Sequence, residues 1–207
     1  MRSASTVLLL LLFFLPLQAQ KAVFRVDTIG DSVFRRMQGR SYPEGCTVKR
    51  SDLRYLTVSH YDLDGQIRQG ELVCNKRIAA DLIDIFRALF RARYPIARMQ
   101  LIDDYEADDE RSMEANNTSC FCYRVVNGSK KLSKHAEGLA IDVNPLYNPY
   151  VKGEKVLPRS GRSYLDRTAS FPCKIERNDL LCRLFRQHGF RWGGAWRSVK
   201  DYQHFEK

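Results

Sequence analysis

Apolar residues recur at steps of three and four over Ile78, Leu82, Ile85, Phe86, Leu89 and Phe90. That spacing predicts an amphipathic helix, capped by Asn75 and stopped at Tyr94 by Pro95. Leu181, Leu184 and Phe185 predict a shorter helix, capped by Asn178 and ended by Gly189. Elsewhere the pattern shortens. Leu53 to His60 and Gly70 to Val73 flank Asp64-Gly65, which reads as a hairpin turn. Met99 to Ile102 and Phe121 to Val126 read as short strands. The acidic run Asp103 to Glu110 between them reads as a solvated loop. Residues 21–45 are poorly periodic and are broken by Gly30, Gly39 and Gly45. Strands precede, separate and follow two helices, the order of an α+β domain rather than of a βαβ series.

The N-terminus follows a different pattern. Arg2 is followed by an apolar run from Val7 to Leu17, then Gln18, Ala19 and Gln20. Charge, apolar run and small residue in that order describe a signal peptide. The run is well short of the roughly 20 residues needed to span a bilayer. We therefore read residues 1–20 as a cleaved export signal and 21–207 as one domain, with no stable membrane insertion afterwards. Removing Arg2 lowers the net charge from +10 to +9. Export sets most nucleic acid out of reach of that charge. The apolar fraction of 44% is too high for a disordered chain.

An exported chain also changes the reading of its cysteines. Cys46, Cys74, Cys120, Cys122, Cys173 and Cys182 are even in number, as a disulfide set would be. Cys173 with Cys182 and Cys46 with Cys74 are the preferred pairs. Cys120 and Cys122 would share one face of a strand, where buried free thiols are the alternative.

Two segments carry candidate chemistry. In Ser133-Lys-His135-Ala-Glu-Gly138-Leu-Ala140-Ile-Asp142, alternation sends Leu139, Ile141 and Val143 toward a core. Gly138, Ala140 and Asp142 face the other way, and two small residues leave space for the Asp142 carboxylate. An imidazole and a carboxylate converging there suit a borderline cation such as Zn²⁺. Near the C-terminus, Trp192-Gly-Gly-Ala195-Trp196 precedes Asp201-Tyr-Gln-His204-Phe205. His135, Asp142 and His204 fill three ligand places, and Asp201 is left as a carboxylate beside the open fourth.

The strings S-x-H-x-x-G-x-A-x-D, W-G-G-x-W and D-x-x-H-F resemble the zinc-dependent peptidoglycan peptidases. That family includes D-alanyl-D-alanine carboxypeptidases, D-Ala-D-Ala dipeptidases and L-alanyl-D-glutamate endopeptidases. The resemblance runs from about residue 46 onward. It implies His135, Asp142 and His204 as zinc ligands and Asp201 as general base. It implies Ser133 and an upstream arginine, Arg124 with Arg111 as rival, as substrate and oxyanion contacts. The implied fold is a single compact α+β domain with a small antiparallel sheet flanked by helices, as in the Hedgehog signalling domain. The implied function is hydrolysis of peptidoglycan stem peptides by a monomer in the periplasm or cell envelope, with Asp201 assisting attack by zinc-bound water. A non-catalytic binder of cell wall on the same fold is the alternative. Ala195 departs from the carboxylate or amide often found between the two tryptophans.

Other marked residues have plainer readings. His60 and His188 read as structural, and Trp192 and Trp196 as core and rim packing. Asn116, Asn117 and Asn127 each begin a glycosylation sequon.

Overall fold

The computed structural model describes residues 21–126 and 130–207. The expected signal at 1–20 and the sequon at Asn127 lie outside the described residues. The elements run in the order β1 (Phe24–Thr28), α1 (Asp31–Met37), β2 (Leu53–Tyr61), β3 (Ile67–Asn75), α2 (Ala79–Arg91) and β4 (Arg98–Met99). Then come α3 (Asp109–Glu114), β5 (Asn117–Thr118), β6 (Ala140–Asp142), β7 (Tyr150–Lys152) and β8 (Lys155–Leu157). The chain continues with α4 (Leu180–Gln187), β9 (Arg191–Trp192), β10 (Lys200–Asp201) and β11 (His204–Glu206). Mixed helices and small antiparallel sheets make this an α+β arrangement.

The predicted hairpin forms. β2 and β3 pair antiparallel from Leu53↔Asn75 to Tyr61↔Ile67, and β1 adds to the other edge of β2. Gly65 supplies the left-handed turn residue at φ +72°. Helix α2 lays Leu82, Ile85, Phe86 and Leu89 against this sheet, each at most 1% exposed. Each such side chain contributes about 1.5–3 kcal/mol by leaving water. The same core takes in Leu139, Ile141 and Val143, the alternate residues predicted to face inward, with Phe185 and Phe205. Phe185 stacks on Phe205 with centroids 4.3 Å apart. A second antiparallel sheet, in the order β6-β11-β9, thus grows out of the core floor. A third, β10-β7-β8, stands beside it.

Several local expectations shift. Asn75 does not cap α2: the cap residue is Ile78, and the Asn75 side chain closes a preceding turn by accepting from Arg77 N at 3.1 Å. The helix ends at Arg91, before the proline stop, because Arg93 turns left-handed at φ 53°. Helix α4 is capped by Asp179, one residue later than predicted, through a 2.6 Å bond from Cys182 N. The predicted strand Met99–Ile102 shrinks to β4, which pairs in parallel with β5, and Ile102–Tyr105 is a 3₁₀ turn. Residues 121–124 form no strand, although Val125 pairs with Leu132.

The acidic run is not a plain solvated loop. Asp103 is 2% exposed and accepts from Ser41 N at 3.0 Å, while Asp108 caps α3. Asn116 and Asn117 are buried and hydrogen-bonded within the fold, so neither sequon is presented at the surface. The six cysteines stand as free thiols, and neither preferred disulfide is formed. Cys46 packs against one apolar cluster and Cys74 sits inside the other, and the Cys173 thiol donates to Pro95 O at 3.5 Å. Among the described residues no helix is long and apolar enough to cross a membrane.

Candidate metal centre and active site

The first predicted segment folds as a turn feeding a strand. Ser133 caps a 3₁₀ turn over Lys134–Glu137, its hydroxyl accepting from His135 N at 3.2 Å. Gly138 ends the turn at φ +67°, and a Cβ there would lie 2.7 Å from Asn75 N. A side chain at that position would therefore meet both strain and collision. The chain then enters β6, which pairs with β11 on one edge and with Ser119 on the other. Asp142 and His204 are direct cross-strand partners, so their side chains share one face.

His135, Asp142 and His204 converge, each buried, with one ligand atom apiece all within 4.8 Å. His135 Nε2 lies 3.2 Å from His204 Nδ1 and 3.3 Å from Asp142 Oδ2. His204 Nδ1 lies 3.0 Å from Asp142 Oδ1. The outward nitrogens are held elsewhere. His135 Nδ1 meets the Cys120 carbonyl at 2.6 Å, so it carries the proton and leaves Nε2 as a lone pair. His204 Nε2 faces Glu206 Oε2 at 3.4 Å, and Arg191 holds the other Glu206 oxygen at 2.7 Å. Two imidazole nitrogens and one carboxylate, oriented in this way, fit a divalent metal.

The charges around this triad agree with its shape. Burial disfavours the Asp142 charge, yet His135 and His204 hold its carboxyl well below the usual range. Burial likewise opposes a charged His204, but bonds to Asp142 and Glu206 push it up to about 10. The metal-free cluster thus stores a proton where a cation would sit.

Asp201 lies on β10, and its Oδ1 is enclosed without a hydrogen-bond partner. Burial, helped by the charges of Asp142 and Asp109, pushes its carboxyl up to about 7 against the pull of His204 and Arg124. Gly193 makes the approach possible. A Cβ on it would meet the Asp201 Cβ at 2.8 Å and the His204 Cβ at 3.3 Å. Gly194 is similarly confined, since a Cβ there would strike the Trp192 ring. Trp192 is a core residue whose Nε1 donates to Tyr202 O at 2.9 Å. Trp196 is half-buried on the rim, its ring 5.3 Å from that of His204.

These residues open onto a cavity of about 500 Å³. Ser133, Arg124 and Asp201 line it with the triad. Arg124 binds Asp109 at 2.6 Å through Nη2, while its buried Nε has no partner. Arg111, the rival, is exposed and does not line the cavity, and neither does Ala195. His60 and His188 lie outside the triad. His60 is buried in β2, and His188 meets Asp81 at 3.2 Å behind α4.

Three contributors escaped the sequence reading. Glu206 was detectable as the residue two positions after His204 on a strand, hence on its face. Asp109 was hidden in the acidic run. The Cys120 carbonyl carries no side-chain signal at all.

A family model described as D-alanyl-D-alanine carboxypeptidase matches residues 127–207. That range holds His135, Asp142, Asp201 and His204, so the part of the chain that carries the triad is similar to that family. No curated protein and no solved structure matches the chain.

Proposed function

We propose that this protein is an exported zinc metallopeptidase that hydrolyses peptide bonds in peptidoglycan stem peptides. The observation that carries the reading is an enclosed, unpartnered Asp201 carboxylate oxygen lining the same cavity as the His135–Asp142–His204 triad. A site for binding alone has no need of that group, which favours an enzyme over the non-catalytic alternative.

His135, Asp142 and His204 would hold the zinc, which supplies Lewis acidity toward a peptide carbonyl and toward water. Asp201 takes a proton from the attacking water and returns it to the leaving amine. A carboxyl pushed up to about 7 suits both halves of that task, and a cation in the triad would draw it lower. The Arg124 guanidinium lines the cavity with its Nε unpaired and faces the developing oxyanion. Ser133 borders the cavity through the hydroxyl that also orders the His135 turn, and contacts substrate from there.

The substrate is peptidoglycan or its muropeptides, approached by a basic monomer in the periplasm or cell envelope. Nucleic acid is not a partner. Incubation with muropeptides, with and without a chelator, followed by mass spectrometry of the new ends, tests the reading. We expect chelator-sensitive cleavage, and the ends distinguish L-Ala-D-Glu endopeptidase from D-Ala-D-Ala carboxypeptidase action. Asp201→Ala should keep its zinc and lose about 10²–10⁴-fold in rate. Near parental turnover by that variant would remove Asp201 from the mechanism.

A further inference from the structure

Two thiols lie directly behind the metal centre. Cys74 is the last residue but one of β3 at 0% exposure, and Cys120 follows β5 at 3%. Both belong to the main core. Three bonds draw their backbones together. Phe121 N donates to Val73 O at 2.9 Å, and Asn75 N donates to Gly138 O at 2.9 Å. The Cys120 thiol reaches the same Gly138 carbonyl at 3.7 Å. Val73 and Phe121 are thus bonded neighbours, which sets Cys74 and Cys120 beside each other on the two segments. The other cysteines are differently engaged. Cys46 packs against the second cluster, and Cys173 donates to Pro95 O.

We propose that Cys74 and Cys120 are an oxidisable pair that closes into a disulfide, tying β3 to the residue whose carbonyl orients His135. The reaction is exchange with a small-molecule disulfide such as oxidised glutathione. One cysteine thiolate attacks a glutathione sulfur and releases glutathione thiolate. The second cysteine then attacks the mixed disulfide and releases the other, so two thiols are oxidised and one disulfide is reduced to two thiols. Closure leaves no new polar group stranded, because Gly138 O retains the Asn75 N–H. Both thiols are enclosed in the finished core, at 0% and 3% exposure, so the pair closes during folding, while an oxidant can still reach them. The bond would close a long loop of the unfolded chain, where the stabilising effect is large.

The test is refolding of the full reduced chain in glutathione redox buffer, then alkylation and non-reducing peptide mapping. The expected product joins the Cys74 peptide to the Cys120 peptide, two hydrogens lighter than their sum. Its Tm should exceed that of the chain refolded in reductant by on the order of 10 °C. The variant Cys74→Ala/Cys120→Ala should show no such oxidant-dependent rise. Recovery of both residues as alkylated thiols from a chain with native circular dichroism would overturn the proposal. So would linkage of either residue to another cysteine.

Discussion

Two antiparallel sheets bury one histidine each, and bury them to opposite effect. In the long β1-β2-β3 sheet, His60 is 5% exposed, with Nδ1 3.4 Å from the Tyr61 carbonyl. Burial alone dominates there and lowers its pKa. In the short β6-β11-β9 sheet, His204 is 6% exposed, yet Asp142 and Glu206 push it up to about 10. Depth is the same, so depth does not make a site. What distinguishes the second sheet is that β6 and β11 spend a paired position on Asp142 and His204, while Phe205, the next residue of β11, holds the strand in the core. The first sheet supplies rigidity, and the second hangs its chemistry from that rigidity.

The strongest way to break this contrast is to delete each imidazole. His204→Ala removes one of three converging ligands and should abolish stoichiometric metal, read by elemental analysis, together with hydrolysis. His60→Ala should cost stability but retain full metal. Metal loss from both variants would mean that the two sheets are not separable in this way.

A smaller effect tests the layer behind the triad. Glu206 stands two residues beyond His204 on the same strand face and is itself fixed by Arg191. Glu206→Ala should weaken metal affinity by about 10–100-fold, with Glu206→Gln recovering part of it. Competition against a fluorescent chelator measures this without any substrate. Equal affinity in all three proteins would confine Glu206 to surface pairing with Arg191.

The same contrast governs what could be read in advance. The 53–75 hairpin and the 79–91 helix announce themselves because each repeats its period several times over. Strands of two or three residues, such as β9, β10 and β11, offer no period to detect. The triad was legible because residue chemistry and family resemblance added to the brief alternation that places Asp142. Asp103 was misread as solvated because its partner, Ser41, lies 62 residues away in the chain. The disulfide pairs failed for a similar reason. The sequence alone offered Cys173 with Cys182 and Cys46 with Cys74, whereas the fold sets the segment of Cys120 beside the end of β3 that carries Cys74. Arg124 was separable from Arg111 only once the cavity wall was known.

The finest difference between the sheets should appear in the pH dependence of the metal-free protein. His60 has a folded pKa below its unfolded value of about 6.5, so the unfolded chain takes up its proton first on acidification. Its contribution to stability is present above about pH 6.5 and is lost as pH falls toward the folded value. His204 runs the other way. Its folded pKa of about 10 exceeds the unfolded one, so its stabilisation is complete below about pH 6.5 and is lost as pH rises toward 10. Urea unfolding of the chelator-treated parent and of His204→Gln, compared at about pH 7 and 9.5, isolates the second term because other titrations cancel in the difference. The gap between them should narrow on the alkaline side. For His60→Gln, compared at about pH 7 and 5, it should narrow on the acid side. A gap that is flat with pH for His204→Gln would mean that Asp142 and Glu206 do not hold a proton on this imidazole. The short sheet would then differ from the long one in geometry alone.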